Sequence, residues 1–167
     1  KKRLKEGYKD VEEEVLGDIA AGAVKWTMLK FSRESDISFS IDESIQIEGN
    51  SGPYMQYTYA RTSSLLSKGA NTSFQANSVK NLEPELVALG RMICQFENIK
   101  KEASGRFSPN ILTNYLYDLA QKFNCFYEKE KIIGSEKEES RLAVTKAVGN
   151  VLKEGLNLLG IATPEKI

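Results

Sequence analysis

Histidine is absent from the 167 residues of this chain, and only two cysteines, three methionines, four prolines and one tryptophan occur. Without imidazole, the commonest general base and the commonest zinc ligand are both missing, so a hydrolase triad or a zinc site would need unusual residues. Cys94 and Cys125 stand far apart, each inside an apolar helical pattern, and read as small buried hydrophobes rather than as a disulfide or metal ligands. Net charge is lacking too, because 23 Lys and Arg balance 23 Asp and Glu. The chain as a whole has no nonspecific pull toward nucleic acid, and any grip on a polyanion has to be local. No apolar run approaches the ~20 residues that span a bilayer, and the basic start KKRLKEGYKD has no apolar signal segment. These absences predict a cytosolic protein with no membrane contact and no catalysis of its own.

With 41% apolar and 28% charged residues, the chain has the make-up of a soluble domain with one sizeable core. Val11, Val15, Ile19, Gly22, Trp26 and Leu29 recur every three or four residues behind an Asp10/Glu13 capping pair, which predicts a long first helix ending near 31–33. Ile37, Phe39 and Ile41 alternate with serines and predict an extended connector that packs three apolar side chains under the bundle, then a helical turn near 42–45. The Gly-, Ser- and Asn-rich stretch 68–81 reads as a loop. A helix follows from about Leu82, turning Leu86, Leu89, Ile93 and Phe96 inward. After Ser108 and Pro109, Leu112, Leu116, Leu119, Phe123 and Phe126 mark a core seam. A last helix from about Glu136 to Leu159 opens on a Ser135/Glu138 capping box and stops at Gly160, with Ile161 folding back on Leu156. Gly149 and Gly155 inside it imply close approach of another helix or a ligand. The sum is an all-α bundle with antiparallel neighbours.

The segment with chemical content is EGNSGPYMQYTYARTSSLLSK, Glu48 to Lys68. Gly52 reads as the cap and Pro53 as the first helical residue, which puts Tyr54, Tyr57 and Arg61 on one stripe of the helix. Two aromatic rings and a guanidinium fork suit stacking on bases and gripping phosphate. The plainer alternative is that the rings are half-buried packing residues against a neighbouring helix. The loop 49–52 has free N–H groups ahead of a helix start that could bind an anion, yet it lacks the Gly-Lys-Ser/Thr of a nucleotide loop, and the favoured reading is a simple tight turn. The carboxylates of 12–14, 136, 138 and 139 offset helix dipoles, and the lysines near Gly134 interleave with glutamates in a mixed solvated surface.

The same segment resembles arginyl-tRNA synthetases, whose C-terminal part carries EGN(T/S)GPYLQYAxAR where this chain has EGNSGPYMQYTYAR. YLYDLAQKFNCFYE, Tyr115 to Glu128, is similar to that family's YLYDLAxxFxxFY helix. ESRLAVTKAVGNVLKEGLNLLGIATPEKI, Glu139 to Ile167, resembles its closing helix and its Leu-Leu-Gly-Ile-x-x-Pro-Glu-Arg-Met end. The resemblance implies an anticodon-binding domain of the DALR type over 51–167, preceded in the same bundle by a helix and connector, 1–50, that follow the catalytic domain. It associates Tyr54, Tyr127 and Ile167 with the anticodon site, and Arg61 matches the motif's arginine. Ile167 stands where methionine is frequent and Tyr59 where histidine is common.

The family's His-Ile-Gly-His and Lys-Met-Ser-Lys type segments are absent. The resemblance therefore implies a C-terminal fragment that binds arginine tRNA as a monomer and adjoins the parent catalytic domain, where ATP and magnesium act, with no cofactor in the fragment itself. A helical protein-interaction module derived from such a domain is the alternative. A DALR domain of another class I synthetase is disfavoured by the terminal Pro-Glu-Lys-Ile.

Overall fold

The computed structural model describes residues 11–69 and 82–167, which form six helices and, among the described residues, no strand. They are α1 (Glu13–Leu29), α2 (Ile41–Ser44), α3 (Gly52–Lys68), α4 (Pro84–Gly105), α5 (Pro109–Lys129) and α6 (Glu138–Leu158). Asp10 of the expected capping pair and most of the expected 68–81 loop lie outside the described residues.

The all-α architecture follows from stripes of apolar residues that leave each helix one face to bury. The α5 seam of Leu112, Leu116, Leu119, Phe123 and Phe126 is buried as its spacing predicts. It meets Leu86, Leu89 and Phe96 of α4 and Leu142, Val148, Leu152 and Leu156 of α6 in the main core, to which α1 contributes Trp26 and α3 contributes Met55 and Tyr59. Ile93, expected inward on α4, is only half-buried. A smaller cluster of Leu16 and Ile19 on α1 gathers Val11, Val15, Ile45 and the terminal Ile167.

Three close approaches set the helix spacing. A Cβ on Gly52 would lie 2.3 Å from the Gly22 carbonyl oxygen, one on Gly149 2.7 Å from Thr62 Oγ1, and one on Gly155 2.6 Å from Leu116 Cδ2. The two glycines inside α6 thus serve helix packing. Past α6, Gly160 is left-handed at φ +68°, while Gly160 N–H donates to Asn157 O and Ile161 N–H to Leu156 O. This paired closure of the last carbonyls brings Ile161 into the core beside Leu156, as the sequence predicts. From there the chain returns toward α1 and α3, where Gln56 Nε2 donates to both Asp18 O and Ala162 O.

Several expectations need correction. Ile37, Phe39 and Ile41 do not pack under the bundle but are 40%, 40% and 54% exposed, because Ser44 and Ile45 of the following turn are what face α1. Cys94 and Cys125 are exposed, each just off the buried stripe of its helix. Ser51, not Gly52, caps α3: its Oγ accepts from Tyr54 N–H at 3.2 Å. Ser108 holds the cap position of α5 without a side-chain cap bond, its hydroxyl donating to Arg106 O instead. The capping box before α6 is shifted, since the Glu138 carboxylate accepts from Gly134 N–H while Ser135 Oγ donates to Ile132 O.

One buried ionic knot joins α4, α5 and α6. Arg141, almost fully buried, donates to Glu83 at 2.6 and 3.0 Å, to Glu130 at 2.6 Å and to Lys131 O at 2.7 Å. These bonds hold the Glu83 carboxyl below its ordinary range and raise the already high pKa of Arg141. Four of the five guanidinium N–H groups find acceptors, three of them on carboxylates, which is what makes its burial tolerable.

Candidate nucleic-acid interface

The loop before α3 is built on α1. Trp26 Nε1 donates to Asn50 Oδ1 at 2.7 Å, Lys30 Nζ donates to Asn50 O at 3.0 Å, and Ser51 Oγ to Gln46 O. Ser51, Gly52 and Pro53 are buried, so the α3 N-terminus faces α1 rather than an incoming anion. The glycine loop is a tight turn, the plainer of the two readings its sequence allows.

Downstream of that turn, Tyr54, Tyr57, Thr58 and Arg61 recur at three- and four-residue intervals, the spacing of one helix stripe. They face α5, whose Tyr117, Gln121, Asn124 and Glu128 recur in the same way. Tyr54, Tyr57, Arg61, Gln121, Asn124, Cys125 and Glu128, with Ile47 and Glu48 from the preceding loop, line an open cleft of about 420 Å³. Within it, Arg61 Nη1 donates to Asn124 Oδ1 at 2.6 Å, and Asn124 Nδ2 donates to Tyr54 OH at 2.9 Å and to Thr58 Oγ1 at 3.0 Å. The guanidinium carbon of Arg61 lies 5.0 Å from the Tyr57 ring centre and 4.6 Å from that of Tyr127. Tyr54 meets Tyr117 edge-on with ring centres 5.8 Å apart.

Burial pushes the Tyr54 phenol above its ordinary range, an effect that the Asn124 hydrogen bond partly offsets. The hydroxyl therefore stays protonated at any physiological pH. Glu48 and Glu128 border the cleft, yet among the described residues neither pairs with Arg61, so the guanidinium faces it without a carboxylate clamp. Rings, one cation and fixed hydrogen-bonding groups around an open slot are the chemistry that holds an unstacked base or a phosphate.

Four of the five site residues expected from the sequence thus come together: Tyr54, Tyr57 and Arg61 line the cleft and Tyr127 covers the outer face of Arg61. Ile167 does not join them, its side chain packing with the Leu16 and Ile19 cluster of α1. Tyr59 is a core residue with Lys153 over its ring. Sequence reasoning missed Asn124 and Thr58. The available signal was an asparagine inside an otherwise apolar seam between Phe123 and Phe126, where a poor helix former needs a reason to stay.

Among known proteins, the chain is 39% identical over 159 residues to the arginine–tRNA ligase of Clostridium botulinum (strain Alaska E43 / Type E3), covering 93% of this chain and 28% of that protein. It is 37% identical over 157 residues to the arginine–tRNA ligase of Streptococcus suis (strain 05ZYH33), with the same coverages. The arginyl-tRNA synthetase structure from Thermus thermophilus matches with a TM-score of 0.89 and 30% identity over 98% of this chain and 29% of that one. The corresponding structure from Plasmodium falciparum matches with a TM-score of 0.84 and 28% identity, over 99% and 30%. The chain spans about 28% of the length of the curated relatives it matches. With residues 55–167 matched by the family model described as DALR anticodon binding domain, the chain belongs to that family.

Proposed function

We propose that this chain is the C-terminal anticodon-binding part of an arginine–tRNA ligase, holding the anticodon loop of arginine tRNA while ATP and magnesium act in a catalytic part elsewhere on the parent polypeptide. The observation that carries the reading is the Arg61 guanidinium set against the rings of Tyr57 and Tyr127 at the mouth of the Tyr54 cleft. A base splayed out of the loop stacks on an exposed ring, and the arginine meets a phosphate or a base edge. In this reading 1–50 is the helix and connector after the catalytic part and 51–167 the recognition unit, working as a monomer in the cytoplasm.

Val24, Met28, Ile37, Phe39 and Ile41 are exposed apolar residues, and all precede residue 55, where the family match begins. We assign that surface to contact with the parent catalytic part. It is also the feature that favours the second reading, a helical module that binds a protein partner.

Titration with arginine tRNA across a salt series separates the two. Anticodon binding weakens steeply as salt rises, whereas docking of an apolar surface hardly responds. Replacing Tyr127, a residue 36% exposed, with alanine should cost about 1–3 kcal/mol of RNA affinity and leave the unfolding midpoint in place. Equal affinity of a folded Tyr127→Ala variant and the wild type would remove that ring from the interface.

A further inference from the structure

We infer that Asn124 is a positioning residue that fixes the hydrogen-bond polarity of the cleft, so that the Tyr54 hydroxyl and the Arg61 guanidinium present two donors to a nucleobase edge carrying two adjacent acceptors. This rests on the reading of the cleft as an RNA site. Arginine is a donor only, so the end of the Asn124 amide that meets Arg61 Nη1 at 2.6 Å has to be the oxygen. The other end is then the NH2 group, donating to Tyr54 OH at 2.9 Å and Thr58 Oγ1 at 3.0 Å. Thr58 uses its own proton on the Tyr54 carbonyl at 2.9 Å. Tyr54 OH, already an acceptor from Asn124, keeps a proton for which the described residues supply no acceptor, and its residue lines the cleft.

Asn124 is buried and cannot reverse: turning the amide would set N–H groups against the guanidinium. The donor character of the site is therefore built into the helix pair before any ligand arrives. Arg61 lines the same slot, with N–H groups left beyond the one held by Asn124. Two neighbouring acceptors occur on guanine at O6 and N7 and on cytosine at N3 and O2. Adenine replaces O6 by an amino donor, and uracil carries N–H at N3, so each would oppose a donor with a donor.

Asn124→Asp is the isosteric test. It keeps an acceptor for Arg61 but makes the other end an acceptor as well, so Tyr54 turns its proton inward and shows lone pairs to the cleft. The wild-type chain, N124D, Tyr54→Phe and the double variant are titrated with arginine tRNA transcripts in which each anticodon-loop G is changed to A or C to U. The wild type should lose about 10-fold or more for at least one such change. N124D and Y54F should each narrow that ratio to within about 3-fold, and N124D should not alter it further in the Y54F background. The added charge of N124D then lowers affinity for both transcripts alike.

An intact ratio in N124D, or a wild-type chain that binds tRNA but ignores every G-to-A and C-to-U change, overturns the assignment while leaving RNA binding standing. Absence of tRNA binding by the wild-type chain overturns the underlying reading, and this one with it. Should N124D fail to fold, Y54F decides alone, an undiminished ratio there being the refuting result.

Discussion

Adding one methyl group at Gly52 should force α1 and α3 apart. A Cβ there would lie 2.3 Å from the carbonyl oxygen of Gly22, 2.5 Å from its carbon and 2.8 Å from the nitrogen of Ala23. All three are backbone atoms, and the helix that carries them is anchored by the fully buried Ile19 and Trp26. No side chain can swing aside, so restoring a normal contact needs roughly 1 Å of helix displacement. Overpacking of this kind costs about 1–3 kcal/mol. Alanine recovers little of it, because Gly52 is the first residue of α3 rather than an interior one.

A net loss of about 2 kcal/mol corresponds to roughly 4–8 °C in Tm for a chain of this size. Gly90 provides the control. It lies inside α4 with nothing within 4 Å of its would-be Cβ, so the identical change there should stabilise by about 0.5–1 kcal/mol. Urea unfolding followed by helical circular dichroism measures both variants in one experiment. A Gly52→Ala variant as stable as the wild type, or a Gly90→Ala variant less stable than it, would refute the reasoning from backbone contact.

Two further outcomes follow from the structure. Because Arg141 holds the Glu83 carboxyl below the ordinary 4.5, the stability from that pair is complete above pH 4.5 and is lost as pH falls through the lower folded value. Glu83→Gln should lose about 1–3 kcal/mol at neutral pH and show a shallower acid decline in urea melts between pH 5 and 3; parallel declines would count against the pairing. Phe107 ends α4 with a left-handed backbone, φ +51°, while its side chain is 78% exposed. Phe107→Gly should therefore raise the urea midpoint by an equivalent of about 0.5–1 kcal/mol, strain relief exceeding the lost contact, and an unchanged or lower midpoint would contradict this.

The helices were legible because each buries a stripe whose spacing is printed in the chain. Leu112 to Phe126 is the clearest instance, and Gly160 marks the stop of α6 because glycine takes a left-handed backbone without strain. The alternation of Ile37, Phe39 and Ile41 reports that two faces differ, but not which of them anything covers, and the guess of burial was wrong. Cys94 and Cys125 show the same limit within helices, where one position off the stripe turns a core residue into a surface one. Arg141 was invisible as a core residue because its burial depends on carboxylates 58 and 11 positions away in sequence. Tyr54, Tyr57 and Arg61 could be placed on one stripe from spacing alone, whereas the partner that organises them sits on a different helix.

On the function proposed above, that division accounts for a polyanion site on a chain with no net charge. Helix α3 turns Met55, Gln56, Tyr59 and Thr62 toward the interior and Tyr54, Tyr57 and Arg61 toward the cleft, so the packing that stabilises the bundle also fixes the angle at which the site is presented. Asn124 and Thr58 lie between the two faces and transmit one to the other through four hydrogen bonds. On that reading, recognition depends on donors held in place rather than on an excess of positive charge, at a cost in conformational entropy already met by folding. Displacing α3 by an ångström at Gly52 moves Tyr54, two residues later, by a comparable amount. The same variant that reports on helix packing should for that reason weaken whatever the cleft binds, even though Gly52 itself is buried against α1.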